Sequence, residues 1–231
     1  YYIGQLKNSK KNGKGILYYK NGKKMFEGNW VNGKREGIGI YYYWNGEYFK
    51  GECKNDLENG KGIRYYKDGK IRYNGDFVNG KIEGYGIYYF LNGERYEGEW
   101  KNNMRNGKGI QYYRDGKKKY DGNWINDYPQ GKGIEYYPNG KKSYEGDWIK
   151  GKFEGNGRSY FGNGGYYIGQ FKNDLRFGKG KEFYKNGNIK YDGDFYNNKR
   201  EGTGKYIYED GDYYIGQFKN DLKFGKGKEY Y

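Results

Sequence analysis

The chain has 231 residues, with 44 Lys and Arg against 29 Asp and Glu, no His, one Cys, 44 Gly and 22% aromatic residues. A formal charge of +15 favours acidic partners of some kind: anionic lipid, nucleic acid or an acidic protein surface. Without His the commonest general base and metal ligand is missing, a single Cys excludes an internal disulfide framework, and no apolar run approaches the length of a membrane span.

From Tyr2 onward a unit of 23 or 24 residues recurs, with ten starts at Tyr2, Phe26, Phe49, Tyr73, Tyr96, Tyr120, Tyr144, Tyr167, Tyr191 and Tyr214. Each unit opens as Tyr144-Glu145-Gly146-Asp147-Trp148 does, with an aromatic, Gly and usually a second large apolar residue at i, i+2 and i+4. In an extended chain that spacing points all three to one face. Gly-x-Gly follows eleven residues after every start, from Gly13 and Gly15 to Gly225 and Gly227. An aromatic-rich run such as Ile134-Glu135-Tyr136-Tyr137 comes next, and then Asn139-Gly140, a dipeptide that tolerates positive φ in a tight reversal. The spacing predicts a β-hairpin per unit. Helix is excluded by the lack of Ala, the abundance of Gly and the absence of any apolar set at three and four residues.

One hairpin buries too little apolar surface to be stable, so neighbouring units are expected to stack. The predicted fold is all-β: an elongated solenoid of stacked antiparallel β-hairpins, one hairpin per 23–24-residue repeat, in a single continuous twisted sheet. Residues 1–231 then form one array whose last unit is incomplete, and a chain that opens without Met and stops in mid-unit is expected to be a piece of a longer one. On the inner face the glycines make room for rings, with Tyr144, Trp148 and Tyr137 as typical contributions. Leu6 and Cys53 stand where other units place Trp, and Cys53 reads as a core filler. Several units carry one extra residue after the turn, as in Asn21-Gly22-Lys23-Lys24-Met25-Phe26 against Asn45-Gly46-Glu47-Tyr48-Phe49.

The pattern Tyr-x-Gly-x-Trp, Gly-x-Gly, aromatic, Asn-Gly and the next Tyr resembles the MORN repeat (membrane occupation and recognition nexus) along essentially the whole chain. The resemblance implies a hairpin array acting as an organiser at cytoskeletal structures and membrane junctions, in some cases as a targeting module beside an enzyme domain.

Motifs for chemistry are lacking. Ser9, Ser143, Ser159 and Thr203 share no pattern, and the Gly-x-Gly pairs lack the third glycine of a dinucleotide fingerprint. The pairs Glu97 with Glu99 and Asp192 with Asp194 alternate onto one strand face as catalytic acids would, but their recurrence in several units reads as a solvated face. No enzyme and no cofactor is predicted.

The face opposite the glycines carries the functional expectation. Ile16, Ile40, Ile63, Ile87, Ile110 and Ile134 fall on it, each followed two residues later by Tyr18, Tyr42, Tyr65, Tyr89, Tyr112 and Tyr136. From Arg158 onward, through Lys181, Lys205 and Lys228, the Ile position turns basic. An exposed apolar strip of this length calls for a cover. The cover is either flanking chain and a sheet closing on itself, or a protein partner, including a second copy in a homodimer or larger assembly. The leading expectation is a non-catalytic scaffold, intracellular and cytoskeleton- or membrane-associated. An alternative is a basic surface module for anionic phospholipid, using the tips Lys23, Lys24, Lys117, Lys118, Lys119, Lys141 and Lys142. Interspersed acids argue against nucleic acid, which needs a continuous basic track. A passive spacer remains open.

Overall fold

A computed structural model describes the whole chain, Tyr1–Tyr231, as strands and turns. It divides into two compact units, Tyr1–Gly116 and Lys117–Tyr231. The first holds β1 (Tyr2–Lys7), β2 (Lys10–Tyr18), β3 (Lys24–Val31), β4 (Lys34–Tyr42), β5 (Tyr48–Lys54), β6 (Leu57–Tyr65), β7 (Ile71–Val78), β8 (Lys81–Tyr89), β9 (Arg95–Lys101) and β10 (Met104–Tyr112). The second holds β11 (Lys118–Ile125), β12 (Tyr128–Tyr136), β13 (Lys142–Ile149), β14 (Lys152–Tyr160), β15 (Tyr166–Lys172), β16 (Leu175–Phe183), β17 (Ile189–Tyr196), β18 (Lys199–Ile207), β19 (Tyr213–Lys219) and β20 (Leu222–Tyr230). Within each unit every strand pairs antiparallel with the next in chain order, so each sequence repeat supplies one two-stranded hairpin, as the spacing predicts. The fold is all-β, and no helix is long and apolar enough to cross a membrane.

Two kinds of turn alternate. Inside a hairpin both turn residues take positive φ, as Asn32 (50°) and Gly33 (87°) or Asn102 (51°) and Asn103 (68°) do. This is the reversal whose twist matches paired strands. Between hairpins only the glycine is left-handed: Gly22 has φ 81°, its N–H donates to Tyr19 O at 3.1 Å, and Tyr19 N–H donates to Lys23 O at 2.9 Å.

The register explains the glycines. Gly28 faces Gly39, and Gly39 faces Gly51, which leaves a strip of sheet without Cβ atoms. Phe26 lies flat on that strip, and a Cβ on Gly39 would fall 2.5 Å from Phe26 Cε2. The equivalent rings Phe49, Tyr73 and Tyr96 in the first unit, and Tyr144, Tyr167 and Tyr191 in the second, are fully buried. Except at Phe49, where Cys53 takes the place, each of these rings meets the aromatic four residues on edge to face, as Tyr96 and Trp100 do at 5.2 Å and 88°. Most of the rings also meet the equivalent aromatic of the next hairpin, as Tyr120 and Trp148 do at 5.1 Å and 85°. Such pairs add about 0.5–1.5 kcal/mol each beyond area burial. Tyr is favoured over Phe because its hydroxyl finds a backbone acceptor: Tyr144 OH donates to Asp147 O at 2.9 Å, and Tyr167 OH to Gln170 O at 3.0 Å.

Three inner-face expectations resolve differently. Cys53 is buried beside the rings, but Leu6 is 64% exposed. Tyr137 is not core: it is 38% exposed at a turn, where its hydroxyl donates to Tyr160 O at 2.8 Å. The ring floor ends two residues earlier, at Glu135 opposite Tyr144.

The extra residue of the longer repeats is a β-bulge. Leu17 faces Phe26 and Tyr18 faces Lys24, so Met25 is left out of the ladder. Arg72 and Ser143 are bulged the same way. The shorter repeats run through without a break, Tyr41 facing Phe49 and Tyr42 facing Tyr48. A one-residue slip would exchange the two faces, and the bulge absorbs it.

Candidate partner-binding face

On the outer face of the first unit two side-chain rows run across the strands. The first contains Ile16, Glu27, Ile40, Lys50, Ile63, Asn74, Ile87, Glu97 and Ile110, each facing the next in register. The isoleucines are half-buried and do not form the continuous apolar strip expected, because each opening strand inserts a charged or amide side chain between them. The second row joins Tyr42 to Tyr48, Tyr65 to Ile71 and Tyr89 to Arg95. Tyr48 stacks on Tyr65 at 4.4 Å and 11°, and the Arg95 guanidinium lies 3.9 Å from the Tyr112 ring centre. Tyr18 stacks on Tyr1 at 4.4 Å. In the second unit Ile134 sits between Asp121 and Glu145, and Tyr136 faces Lys142.

The lysine tips separate into two groups. Lys24, Lys118 and Lys142 turn onto the outer face and pair with Glu27 (2.8 Å), Asp121 (2.8 Å) and Glu145 (2.7 Å), acids of the first row. Lys142 holds the Glu145 carboxyl below its ordinary range. Lys23 and Lys141 stay exposed in the turns, where their backbone N–H groups donate to Asn21 Oδ1 and Asn139 Oδ1. Lys117 is exposed and reaches Pro138 O at 3.2 Å, while Lys119 is half-buried. The seven are therefore not a uniform basic edge.

Ten segments of the chain match the MORN repeat: residues 2–24, 26–48, 49–71, 73–95, 96–118, 120–142, 144–166, 167–189, 191–213 and 214–231. They open at the ten starts read from the sequence, and the skipped residues 25, 72, 119, 143 and 190 are the extra ones of the longer repeats. The chain belongs to the MORN-repeat family. No curated protein matches it.

Two features of these MORN repeats escaped the sequence reading. One is the turn inside each hairpin, six residues after the start, signalled by Asn at nearly every unit from Asn8 to Asn220, with Lys150 replacing it once. The other is the residue three after the start, whose side chain caps the Gly-x-Gly bend. Asp147 Oδ2 accepts from Asn156 N–H at 3.1 Å, Asp194 Oδ2 from Thr203 N–H at 3.0 Å, and Gln170 Oε1 from Lys179 N–H at 3.3 Å.

That cap accounts for the paired acids. Glu99 Oε1 accepts from Lys108 N–H at 3.2 Å while Glu97 pairs with Arg95 at 2.7 Å. Asp192 pairs with Lys181 at 2.8 Å. Partial burial raises the Asp194 carboxyl, but the hydrogen bonds from Lys179 and Thr203 outweigh it and leave the group below its ordinary value. Each acid is committed to its own partner. Burial pushes the Cys53 thiol up, away from the reactive thiolate, which fits its place among the rings.

Proposed function

We propose that the array is a non-catalytic scaffold holding protein partners, or a second copy of itself, along its outer face within a cytoskeletal or membrane-associated assembly. MORN repeats occur in proteins that mediate protein or membrane interactions. The observation that carries the reading is the in-register spacing of half-buried Ile and Tyr, one pair per hairpin, between charged side chains. Apolar contacts of that kind supply affinity, and the charges between them fix register and choice of partner.

The test is the triple substitution Ile63→Ser, Ile87→Ser and Ile110→Ser, measured by partner retention or self-association. Each buried Ile contributes about 1.5 kcal/mol, so association should weaken by more than about 100-fold. The far-UV circular dichroism spectrum should stay β-rich, since none of the three touches the ring floor. Loss of the fold would show these residues to be core and end the proposal.

Contact with anionic phospholipid is a second reading. It is favoured by Trp44 (89% exposed) and Leu91 (83% exposed), which stand at inter-hairpin turns of the first unit near Lys23 and Lys70. Exposed Trp beside Lys suits a headgroup layer. Sedimentation with phosphatidylserine vesicles is expected at low salt, with binding reduced at least about tenfold in Trp44→Ser/Leu91→Ser. Unchanged sedimentation of that variant would remove the reading.

A further inference from the structure

Across β14 to β20 the outer face changes its chemistry. The row held by isoleucine and acids in earlier hairpins becomes Arg158, Ile168, Lys181, Asp192, Lys205, Ile215 and Lys228, each facing the next in register. Asp192 is taken by Lys181 at 2.8 Å. Arg158 faces Glu145 and Lys205 faces Asp192 in register, but those acids close their ion pairs with Lys142 and Lys181, and Arg158, Lys205 and Lys228 close none. The charges of Arg158 and Lys205 rest against the neighbouring aromatic row: the Arg158 guanidinium is 5.1 Å from the Tyr166 ring centre and Lys205 Nζ 3.8 Å from that of Tyr213. That row contains two stacked pairs, Tyr166 on Phe183 at 4.4 Å and Tyr213 on Tyr230 at 4.5 Å. On the other side of the cation row from these rings, a shallow depression of about 590 Å³ opens between Lys179, Ile215 and Lys226.

We propose that this face docks an acidic, proline-rich segment of a partner protein, held in the polyproline II conformation and running across the strands. The proposal rests on the outer face being the partner-binding face. The spacing supports it. Arg158, Lys181, Lys205 and Lys228 lie on β14, β16, β18 and β20, two strands apart, which is about 9.6 Å per step. A polyproline II chain turns once every three residues and rises about 9.3 Å per turn, so an acid at every third position presents a row of carboxylates with nearly the same repeat. Over the three steps from Arg158 to Lys228 the mismatch accumulates to only about 1 Å, within the reach of Lys and Arg side chains. The stacked rings beside the cations form the kind of aromatic floor on which proline rings pack. A phosphate backbone fits less well, because Ile168, Asp192 and Ile215 interrupt the cations where a nucleic acid would bring further charge.

The experiment is fluorescence anisotropy of a labelled (Glu-Pro-Pro)5 peptide with the full chain. (Lys-Pro-Pro)5 and a single-stranded oligo-dT serve as competitors. Binding of the acidic peptide is expected. It should fall at least about tenfold in R158E/K205E/K228E, and clearly but less in R158Q/K205Q/K228Q, as expected when complementary charges are reversed or removed. All three positions are surface side chains away from the ring floor, so both variants should keep the wild-type circular dichroism spectrum. The variants leave Ile63, Ile87 and Ile110 intact, so scaffold binding on the first unit should be unaffected and the two readings can fail separately. Absence of peptide binding, equal binding by the variants, or displacement by (Lys-Pro-Pro)5 would overturn the proposal. Stronger binding of oligo-dT than of the peptide would do so in favour of nucleic acid.

Discussion

Replacing Gly157 by Ala is expected to destabilise the second unit by about 3–5 kcal/mol, comparable to removing a buried aromatic side chain. A Cβ there would sit 2.6 Å from both Cε2 and Cζ of Tyr144. The ring cannot yield, because it is fully buried, stacked on Phe153 at 3.8 Å and met edge-on by Trp148 at 5.4 Å and Phe171 at 5.1 Å. Gly157 does not have positive φ, so the cost is crowding and not backbone strain. Gly162 is the control: nothing lies within 4 Å of its Cβ position and its φ is also ordinary. Gly162→Ala should change stability by less than about 0.5 kcal/mol. Urea unfolding of the two variants decides the matter, and equal shifts would show that the glycines act through chain flexibility and not by making room for rings.

Deleting one residue should have opposite consequences two positions apart. Removal of Glu27 places Phe26 and Trp30 an odd number of residues apart, so they point to opposite faces and one of two nearly fully buried rings is lost from the core. The expected cost is on the order of 5 kcal/mol in the first unit. Removal of Met25 only converts a bulged repeat into the unbroken kind, with Lys24 still opposite Tyr18 as Tyr48 is opposite Tyr42. That deletion should cost less than about 1.5 kcal/mol. Hydrogen exchange at the amides of β3 and β4 reads both. Comparable loss of protection in the two deletions would refute the assignment of the extra residue as a bulge.

Much of this fold is legible in the chain because the repeat averages away local ambiguity. The i, i+2, i+4 placement of Tyr144, Gly146 and Trp148 fixes one face, and the period fixes the hairpin. What escaped notice was cross-strand information. That Glu27 would lie between Ile16 and Ile40 depends on the register of three strands, which neither the alternation within β3 nor that within β4 states alone. The ion pairs of Lys24 and Lys142 follow from the same register and from the bulge that tilts these side chains onto the outer face. Tyr137 has the parity of an inner-face residue. Parity says nothing of where the ring floor ends, and Tyr137 lies past the last glycine of its strand, where the turn begins. The capping role of Asp147 and its equivalents was hidden because an acid at that position looks solvated until the Gly-x-Gly bend brings Asn156 N–H within 3.1 Å.

The proposed scaffold would hold its partners on the outer face of the hairpins. Crosslinking mass spectrometry of the array captured from its native cells, with the folded Ile63/Ile87/Ile110 to Ser variant beside it, tests this most directly. Lys50 lies in the outer row between Ile40 and Ile63 and is exposed, which makes it the natural reporter. Protein crosslinks are expected at Lys50 in the wild type and should disappear in the variant. Crosslinks confined to the turn lysines Lys23 and Lys70, unchanged in the variant, would contradict the scaffold proposal.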